Sequence, residues 1–210
     1  MFHLRLTRKS ARLGMTQNNV KIAVTGGIGS GKSSAINIVK QMGYPVVSCD
    51  EITAELYQKR QVLSGLKKIF PTAVSGIIKL KADKKLIASA IFSDKNKYNA
   101  LNDFLMPLIQ KELFLRLNKH SGLVFAEVPL LFETNLQVEF DHVLVITRDK
   151  EKRIESVMAR SNMTKEQVLE RINAQFDYDA FSATREIVIE NDGDLETLKE
   201  KIAAAVEKII

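Results

Sequence analysis

The sequence predicts an α/β fold in which a parallel sheet is flanked by helices. Residues 20–25, 123–128 and 142–146 are near-continuous apolar runs, as expected for buried parallel strands. Segments with the apolar spacing of one helix face lie between and after them. With 210 residues and 45% hydrophobic content, the chain is long enough for one α/β core with insertions and too short for two large domains.

Residues 26–34 join the first predicted strand to a predicted helix and have the phosphate-binding spacing Gly-x-x-x-x-Gly-Lys-Ser. Glycines let the backbone turn successive N–H groups toward one anion, and the helix N-terminus adds its positive dipole end. Lys32 would reach the outer phosphates, and Ser33 would hold Mg²⁺. We therefore predict a P-loop NTPase-type sheet that binds a nucleoside triphosphate. The loop residues are Gly26, Gly27, Ile28, Gly29, Ser30, Gly31, Lys32, Ser33 and Ser34.

Two acidic residues lie at the carboxyl ends of predicted strands, the edge where parallel sheets bind ligands. Asp50 follows the short predicted strand 46–48, and Glu127 lies near the end of the run 123–128. Asp50 could orient or deprotonate an attacking hydroxyl, or it could cap the next helix, and the spacing favours neither interpretation. Glu127 is a candidate for holding the metal or its waters.

Two helical segments are inserted between strands. Residues 54–120 are helical in pattern and rich in lysine, as in a substrate-covering kinase subdomain, although any one lysine is more simply a solvated residue. Residues 149–185 predict two helices, 149–161 and 164 to about 181. Small kinases close such an arginine-bearing lid over the transferring phosphate. The arginines in and just before this segment are Arg148, Arg153, Arg160 and Arg171.

We predict one kinase domain over residues 20–210, closed by a strand at 187–189 and an amphipathic helix at 195–210. Its predicted parts are a core (20–53, 121–148 and 186–210), a helical subdomain (about 54–120) and a lid (about 149–185).

Residues 1–19 are a basic extension that we expect to be disordered, and we hypothesise that Met15 is the true start. Residues 1–14 supply most of the net charge of +6, because the rest of the chain has 27 basic against 25 acidic residues. That small excess suits a phosphate site and gives no reason to expect nucleic acid. The single cysteine, Cys49, suits a reducing cytosol, and no apolar run approaches the ~20 residues that span a bilayer. We expect a cytoplasmic monomer or weak homo-oligomer without a membrane partner.

Beyond the loop, several blocks resemble the dephospho-CoA kinase family. The VPLLFE block at 128–133 and the Arg-Ile-x-x-Gln block at 171–175 single out this family once the loop is present. The order and spacing of the blocks hold from about residue 20 to residue 210. The other matching segments are 25–33, 49–50, the region of Phe92 and Pro107, 158–160 and 189–191.

The resemblance implies transfer of the ATP γ-phosphoryl group to the ribose 3′-hydroxyl of dephospho-CoA, with ATP and Mg²⁺ bound, as the last step of coenzyme A synthesis. By position, Asp50 matches the aspartate proposed to activate the hydroxyl, and Arg160 matches a lid arginine. Asn191 begins the loop near the adenine. The candidate substrate contacts are Lys84, Pro129, Leu130 and Glu133.

Four positions depart from the family pattern and bear on the substrate contacts. Ser48 replaces an acid, Lys84 an arginine, Met106 a histidine and Ser156 a second lid arginine. Lysine for arginine is not conservative where a bidentate phosphate grip is needed.

Two other functions would also use a phosphate-binding loop. The first is a small kinase that acts on a nucleotide, nucleoside or sugar. The second is a GTP-dependent switch, which needs a guanine-reading Asn-Lys-x-Asp, and neither 96–99 nor 118–121 supplies the aspartate.

Overall fold

A five-stranded parallel sheet is the centre of the computed structural model, which describes residues 19–76, 79–181 and 186–210. Its strands lie in the order β2-β5-β1-β6-β7, and each adjacent pair is parallel. This confirms the parallel sheet predicted from the apolar runs. The strands are β1 (Asn19–Thr25), β2 (Val46–Ser48), β5 (Gly122–Glu127), β6 (His142–Thr147) and β7 (Ile187–Glu190).

Helices cover both faces of the sheet because its inner strands are apolar on both sides. Ile22 and Val24 of β1 belong to the same buried cluster as residues of α1 (Lys32–Gln41) and α8 (Leu195–Glu207). Ala23, which points to the opposite face, belongs to a second cluster with residues of the helical segment between β2 and β5. Buried clusters therefore pack against both faces of the sheet, and this packing positions the residues at its carboxyl edge.

In the described part of the segment between β2 and β5, most residues lie in four helices: α2 (Cys49–Leu56), α3 (Arg60–Ile69), α4 (Lys84–Ser93) and α5 (Lys95–Leu117). Asp83 and Asp94 cap α4 and α5 by accepting hydrogen bonds from backbone N–H groups of the first turn. A two-stranded antiparallel ribbon, β3 (Val74–Ser75) with β4 (Lys81–Ala82), also lies within the segment.

The segment after β6 contains α6 (Lys150–Ser161) and α7 (Lys165–Asn173), which share a small buried cluster of their own. Thr164 and Gln167 form the expected capping box at the start of α7. The expectation that this helix continues to about residue 181 is wrong, because α7 ends at Asn173. The chain instead turns so that Phe176 and Tyr178 pack against Phe132, with ring centroids 4.6 and 6.1 Å from it.

The expectations for the first 18 residues, including a start at Met15, lie outside the described residues, and residue 19 opens β1. Within the described ranges, no helix combines the length and apolarity needed to cross a membrane.

Candidate active site

Residues that follow each of the five sheet strands meet at the carboxyl edge. The fold brings several of them to one pocket of about 390 Å³, which is lined by the loop from Gly27 to Ser34 and by residues of four other segments. Those further lining residues are Asp50, Glu127, Pro129, Arg148, Ser156, Val157, Arg160 and Gln175.

The phosphate-binding loop leaves the central strand β1 and enters α1 with Gly31 in the left-handed region, at φ 91°. A Cβ at this position would overlap the side-chain amide of Asn191, which donates a hydrogen bond to the Ser30 carbonyl at 2.8 Å. Glycine is therefore required at position 31 for backbone conformation and for space. The segment after β7 thus holds the loop in place.

Lys32, at the start of α1, is the central cation of the pocket. Its Nζ donates a hydrogen bond to the Gly26 carbonyl at 2.7 Å. Burial lowers the pKa of Lys32, and the nearby Arg160 lowers it further, while Glu127, Asp50 and Glu133 act in the opposite direction. An incoming polyphosphate would favour the charged form of Lys32.

Asp50 is not the N-cap of α2, so the capping interpretation is wrong. The N-cap is Ser48, and Asp50 lies in the first turn. Its side chain is exposed and lines the pocket, and within the described ranges its carboxylate has no hydrogen-bond or ion-pair partner. It is therefore free to accept a proton or hydrogen bond from a ligand.

Two oxygen-bearing side chains of the pocket fit a magnesium ion. Glu127, at the end of β5, accepts a hydrogen bond at Oε2 from the Ser48 hydroxyl at 3.0 Å, and Ser33 exposes its hydroxyl in the same pocket. The described residues contain no group of three or more His, Cys, Asp or Glu side chains arranged to hold a metal. Mg²⁺ suits such a sparse site, because it keeps several waters and binds through one or two protein oxygens plus substrate phosphates.

The segment 175–179 contacts the loop and the strand residue that precedes it. Gln175 Oε1 accepts a hydrogen bond from the Ile28 N–H at 2.8 Å, and the Tyr178 hydroxyl lies 3.1 Å from Thr25 Oγ1. Burial raises the pKa of Tyr178 to about 12, so its phenol stays neutral. Arg153, which is almost fully buried beside the loop, binds both carboxylate oxygens of Asp179 at 2.6 and 2.8 Å.

These supporting contacts were not assigned from the sequence. Gln175 was part of a family block without a stated role, and Arg153 was grouped with the lid arginines. No local pattern shows that either side chain reaches the loop, since the partners lie far apart in the chain.

Gly26, whose carbonyl accepts from Lys32, and Arg153 lie outside the pocket lining, as do the candidate residues that follow. Glu133 accepts a hydrogen bond from the Phe176 N–H at 2.9 Å, and the Leu130 carbonyl accepts one from the Thr134 hydroxyl at 2.7 Å. Asn191 contacts the loop from behind, as described above. Lys84 lines a separate pocket of about 410 Å³ and lies over the Tyr57 ring, 5.3 Å from its centroid. Arg171 is exposed on α7.

A parallel sheet with a phosphate-binding loop after its central strand, an unpaired acid at the same edge and arginines beside it defines a P-loop kinase. The family model for dephospho-CoA kinase matches residues 20–197. The chain therefore belongs to the dephospho-CoA kinase family, whose reaction is the ATP-dependent phosphorylation of dephospho-CoA in coenzyme A biosynthesis.

Known proteins of this family align over most of the chain. A dephospho-CoA kinase from Thermus thermophilus is 33% identical over 90% of this chain and 91% of its own length. One from Oryza sativa is 32% identical over 90% of this chain and 84% of its own length. The crystal structure of TT1252 from Thermus thermophilus has a TM-score of 0.79 and 32% identity, covering 91% of this chain and 98% of that chain.

Proposed function

We propose that the chain transfers the γ-phosphoryl group of ATP to the ribose 3′-hydroxyl of dephospho-CoA in the pocket at the carboxyl edge of the sheet. The observation that carries the proposal is that the unpaired carboxylate of Asp50 lines the same pocket as the phosphate-binding loop. A kinase needs these two parts together, because the acceptor hydroxyl must be held in line with the transferring phosphoryl group.

Each of the three catalytic candidates has a distinct role in this proposal. Asp50 accepts the proton of the acceptor hydroxyl as the new O–P bond forms. Lys32 leaves the Gly26 carbonyl and binds the outer phosphates of ATP. Arg160, exposed at the end of α6, neutralises charge on the transferring group. The loop residues Gly26 to Ser34 bind the phosphates through backbone N–H groups, and Asn191 contributes to the adenine end of the site.

Ser33 and Glu127 would hold Mg²⁺, which would neutralise phosphate charge and align the β- and γ-phosphates. The hydrogen bond from Ser48 to Oε2 orients the Glu127 carboxylate and leaves it further acceptor sites for the ion or its waters.

The acceptor extends from the pocket toward the helical segment. Pro129 lines the pocket beside Glu127, and Leu130 and Glu133 follow it in the chain. The separate pocket that includes Lys84 also contains Lys79 and Lys81. A cationic pocket of this kind suits the anionic, phosphate-bearing part of dephospho-CoA.

The proposal is tested by measuring ATP consumption with five acceptors: dephospho-CoA, adenosine, AMP, shikimate and gluconate. We expect turnover with dephospho-CoA to exceed turnover with each other acceptor by at least about 100-fold in kcat/KM. Equal or greater turnover with another acceptor would contradict the proposed substrate.

We further propose that the protein works in the cytoplasm as a monomer or weak homo-oligomer. The single cysteine, Cys49, is buried, and burial raises its pKa to about 12, which suits a protein that does not depend on disulfides. Light scattering at several protein concentrations would test the assembly state. A stable oligomer that persists on dilution would contradict it.

A further inference from the structure

Arg148 lies at the point where β6 meets the pocket. It is the first residue after that strand and lines the pocket together with Lys32 and Arg160. Because β6 pairs directly with β1, the arginine and the phosphate-binding loop leave neighbouring strands of the rigid sheet. Arg160, by contrast, is carried by α6.

The guanidinium of Arg148 is held in place but not neutralised. Its Nη1 donates a hydrogen bond to Ser156 Oγ at 2.9 Å. Its Nε is buried without a hydrogen-bond partner, and Arg148 forms no ion pair within the described ranges. A buried donor without an acceptor is costly. Arg153 Nε is also buried without a hydrogen-bond partner, so what distinguishes Arg148 is that no carboxylate of the described residues neutralises its guanidinium.

Two other arginines of this fold are neutralised by carboxylates. Arg153 binds both oxygens of Asp179, and Arg116 binds Glu55 and Glu112. Both arginines serve packing and stability. Arg148 differs from them because its one bonded partner is an uncharged hydroxyl and because it borders the pocket where a polyanion is expected.

We propose that Arg148, which directly follows β6, binds the terminal phosphates of ATP beside Lys32. Ser156 orients its guanidinium. This inference rests on the proposed function only for the identity of the nucleotide. A planar guanidinium with several donors matches a phosphate in a bidentate geometry that lysine cannot supply.

The test is calorimetric binding of a non-hydrolysable ATP analogue to Arg148→Ala, Arg148→Lys and Ser156→Ala. We expect Arg148→Ala to weaken binding about 10- to 100-fold, as for loss of a charge-assisted hydrogen bond. Arg148→Lys should recover only part of the lost affinity, because lysine restores the positive charge but not the bidentate hydrogen bonding of a guanidinium. Ser156→Ala should weaken binding less than Arg148→Ala, because the guanidinium is loosened and not removed.

Lys165→Ala is the matched control. It removes a positive charge from α7, at an exposed pair with Glu151 outside the pocket. We expect its affinity for the analogue to stay within about twofold of wild type. Thermal unfolding of every variant shows whether a lower affinity results from a lost contact or from a lost fold. Arg148→Lys is the less disruptive substitution at this position.

Three results would overturn the inference. The first is an unchanged analogue affinity in folded Arg148→Ala protein. The second is an equal loss in Lys165→Ala, which would indicate a general charge effect. The third is an effect confined to a higher KM for dephospho-CoA, which would indicate that Arg148 contacts the acceptor and not ATP. Because analogue binding needs no acceptor, failure of the proposed substrate would leave this test intact.

Discussion

Lys32 and the groups around it define the electrostatics of the site at the scale of single residues. Burial lowers the lysine pKa, and Glu127, Asp50 and Glu133 oppose that effect only in part. A bound triphosphate adds negative charge next to Nζ and raises the pKa again. The lysine therefore links nucleotide binding to protonation.

This linkage gives a pH dependence with a definite sign. Below the pKa of Lys32 in the free protein, the lysine is charged with and without ligand, and binding takes up no proton. Above it, the free protein has lost the proton that the complex keeps, so affinity falls as pH rises. Calorimetry with a non-hydrolysable ATP analogue, from about pH 7 to about pH 10 in two buffers of different ionisation enthalpy, should show proton uptake on the alkaline side. Heats that do not depend on the buffer, together with constant affinity over this range, would contradict the linkage.

Asp50 is expected to act in the chemical step and not in folding. Asp50→Asn should lower kcat about 10²- to 10⁴-fold, because the amide cannot accept the hydroxyl proton, while the ATP affinity stays within about threefold of wild type. Steady-state kinetics and calorimetry measure the two quantities separately.

Glu51→Gln is the matched control for Asp50. Glu51 is the other exposed acid in the first turn of α2, so it shares the favourable interaction with the helix dipole, but it does not line the pocket. We expect near-normal activity from this variant. If Asp50→Asn lost stability and kept its activity after correction for the folded fraction, its role would be structural.

At the scale of elements, the phosphate-binding loop is held between two segments distant in sequence. Gln175, from the segment after α7, hydrogen-bonds to the loop at Ile28, and Tyr178 of the same segment contacts Thr25 directly before the loop. Asn191 contacts the loop from the segment after β7. The loop geometry therefore depends on tertiary contacts as well as on its glycines.

A comparison of Gly31 in the loop with Gly43 after α1 separates the effect of backbone strain from the effect of crowding by Asn191. Gly31 and Gly43 have nearly equal φ values, 91° and 88°, but an added Cβ overlaps Asn191 at position 31 and meets nothing within 4 Å at position 43. Gly43→Ala should destabilise the fold by about 1–2 kcal/mol and leave ATP binding normal. Gly31→Ala should cost more and weaken ATP binding at least about tenfold, as measured by urea unfolding and calorimetry. Equal effects of the two substitutions on both quantities would contradict the role of Asn191.

The ion pair of Arg153 with Asp179 should stabilise the segment behind the loop. Asp179→Asn leaves a buried guanidinium without its anion, so we expect a loss of about 1–3 kcal/mol in the free energy of unfolding and a higher KM for ATP. The control Glu151→Gln breaks the exposed pair with Lys165 and should cost less than about 1 kcal/mol. A cost for Asp179→Asn no larger than the control would show that this half-exposed pair does not contribute to stability.

At the scale of the whole molecule, the sequence predicted the elements that depend on local pattern. The strands at 20–25, 46–48, 123–128, 142–146 and 187–189 all form, because continuous apolar runs between turns suit a sheet covered on both faces. The phosphate-binding loop follows from its spacing alone.

Features that depend on distant contacts could not be predicted in this way. The end of α7 is set by the packing of Phe176 and Tyr178 on Phe132, more than 40 positions earlier in the chain. From its spacing Asp50 matches the preferences for a cap and for a catalytic acid equally. The family resemblance favours the catalytic acid, and the position of Ser48 as N-cap removes the capping interpretation. The hydrogen bond of Arg148 with Ser156 joins a loop residue that follows β6 to a residue of α6 eight positions later. Helical spacing does not predict such a contact, because Arg148 is not part of the helix.

The central claim is that the pocket transfers the ATP γ-phosphoryl group to the ribose 3′-hydroxyl of dephospho-CoA. It is tested most directly by a single-turnover reaction with ATP carrying ¹⁸O in the γ-phosphoryl group, followed by ³¹P NMR and mass spectrometry of the products. The expected result is coenzyme A with the label in a new phosphate on the 3′-oxygen, formed at least about 100-fold more slowly by Asp50→Asn than by wild type. Label found only in inorganic phosphate, or on another oxygen of the acceptor, would contradict the account.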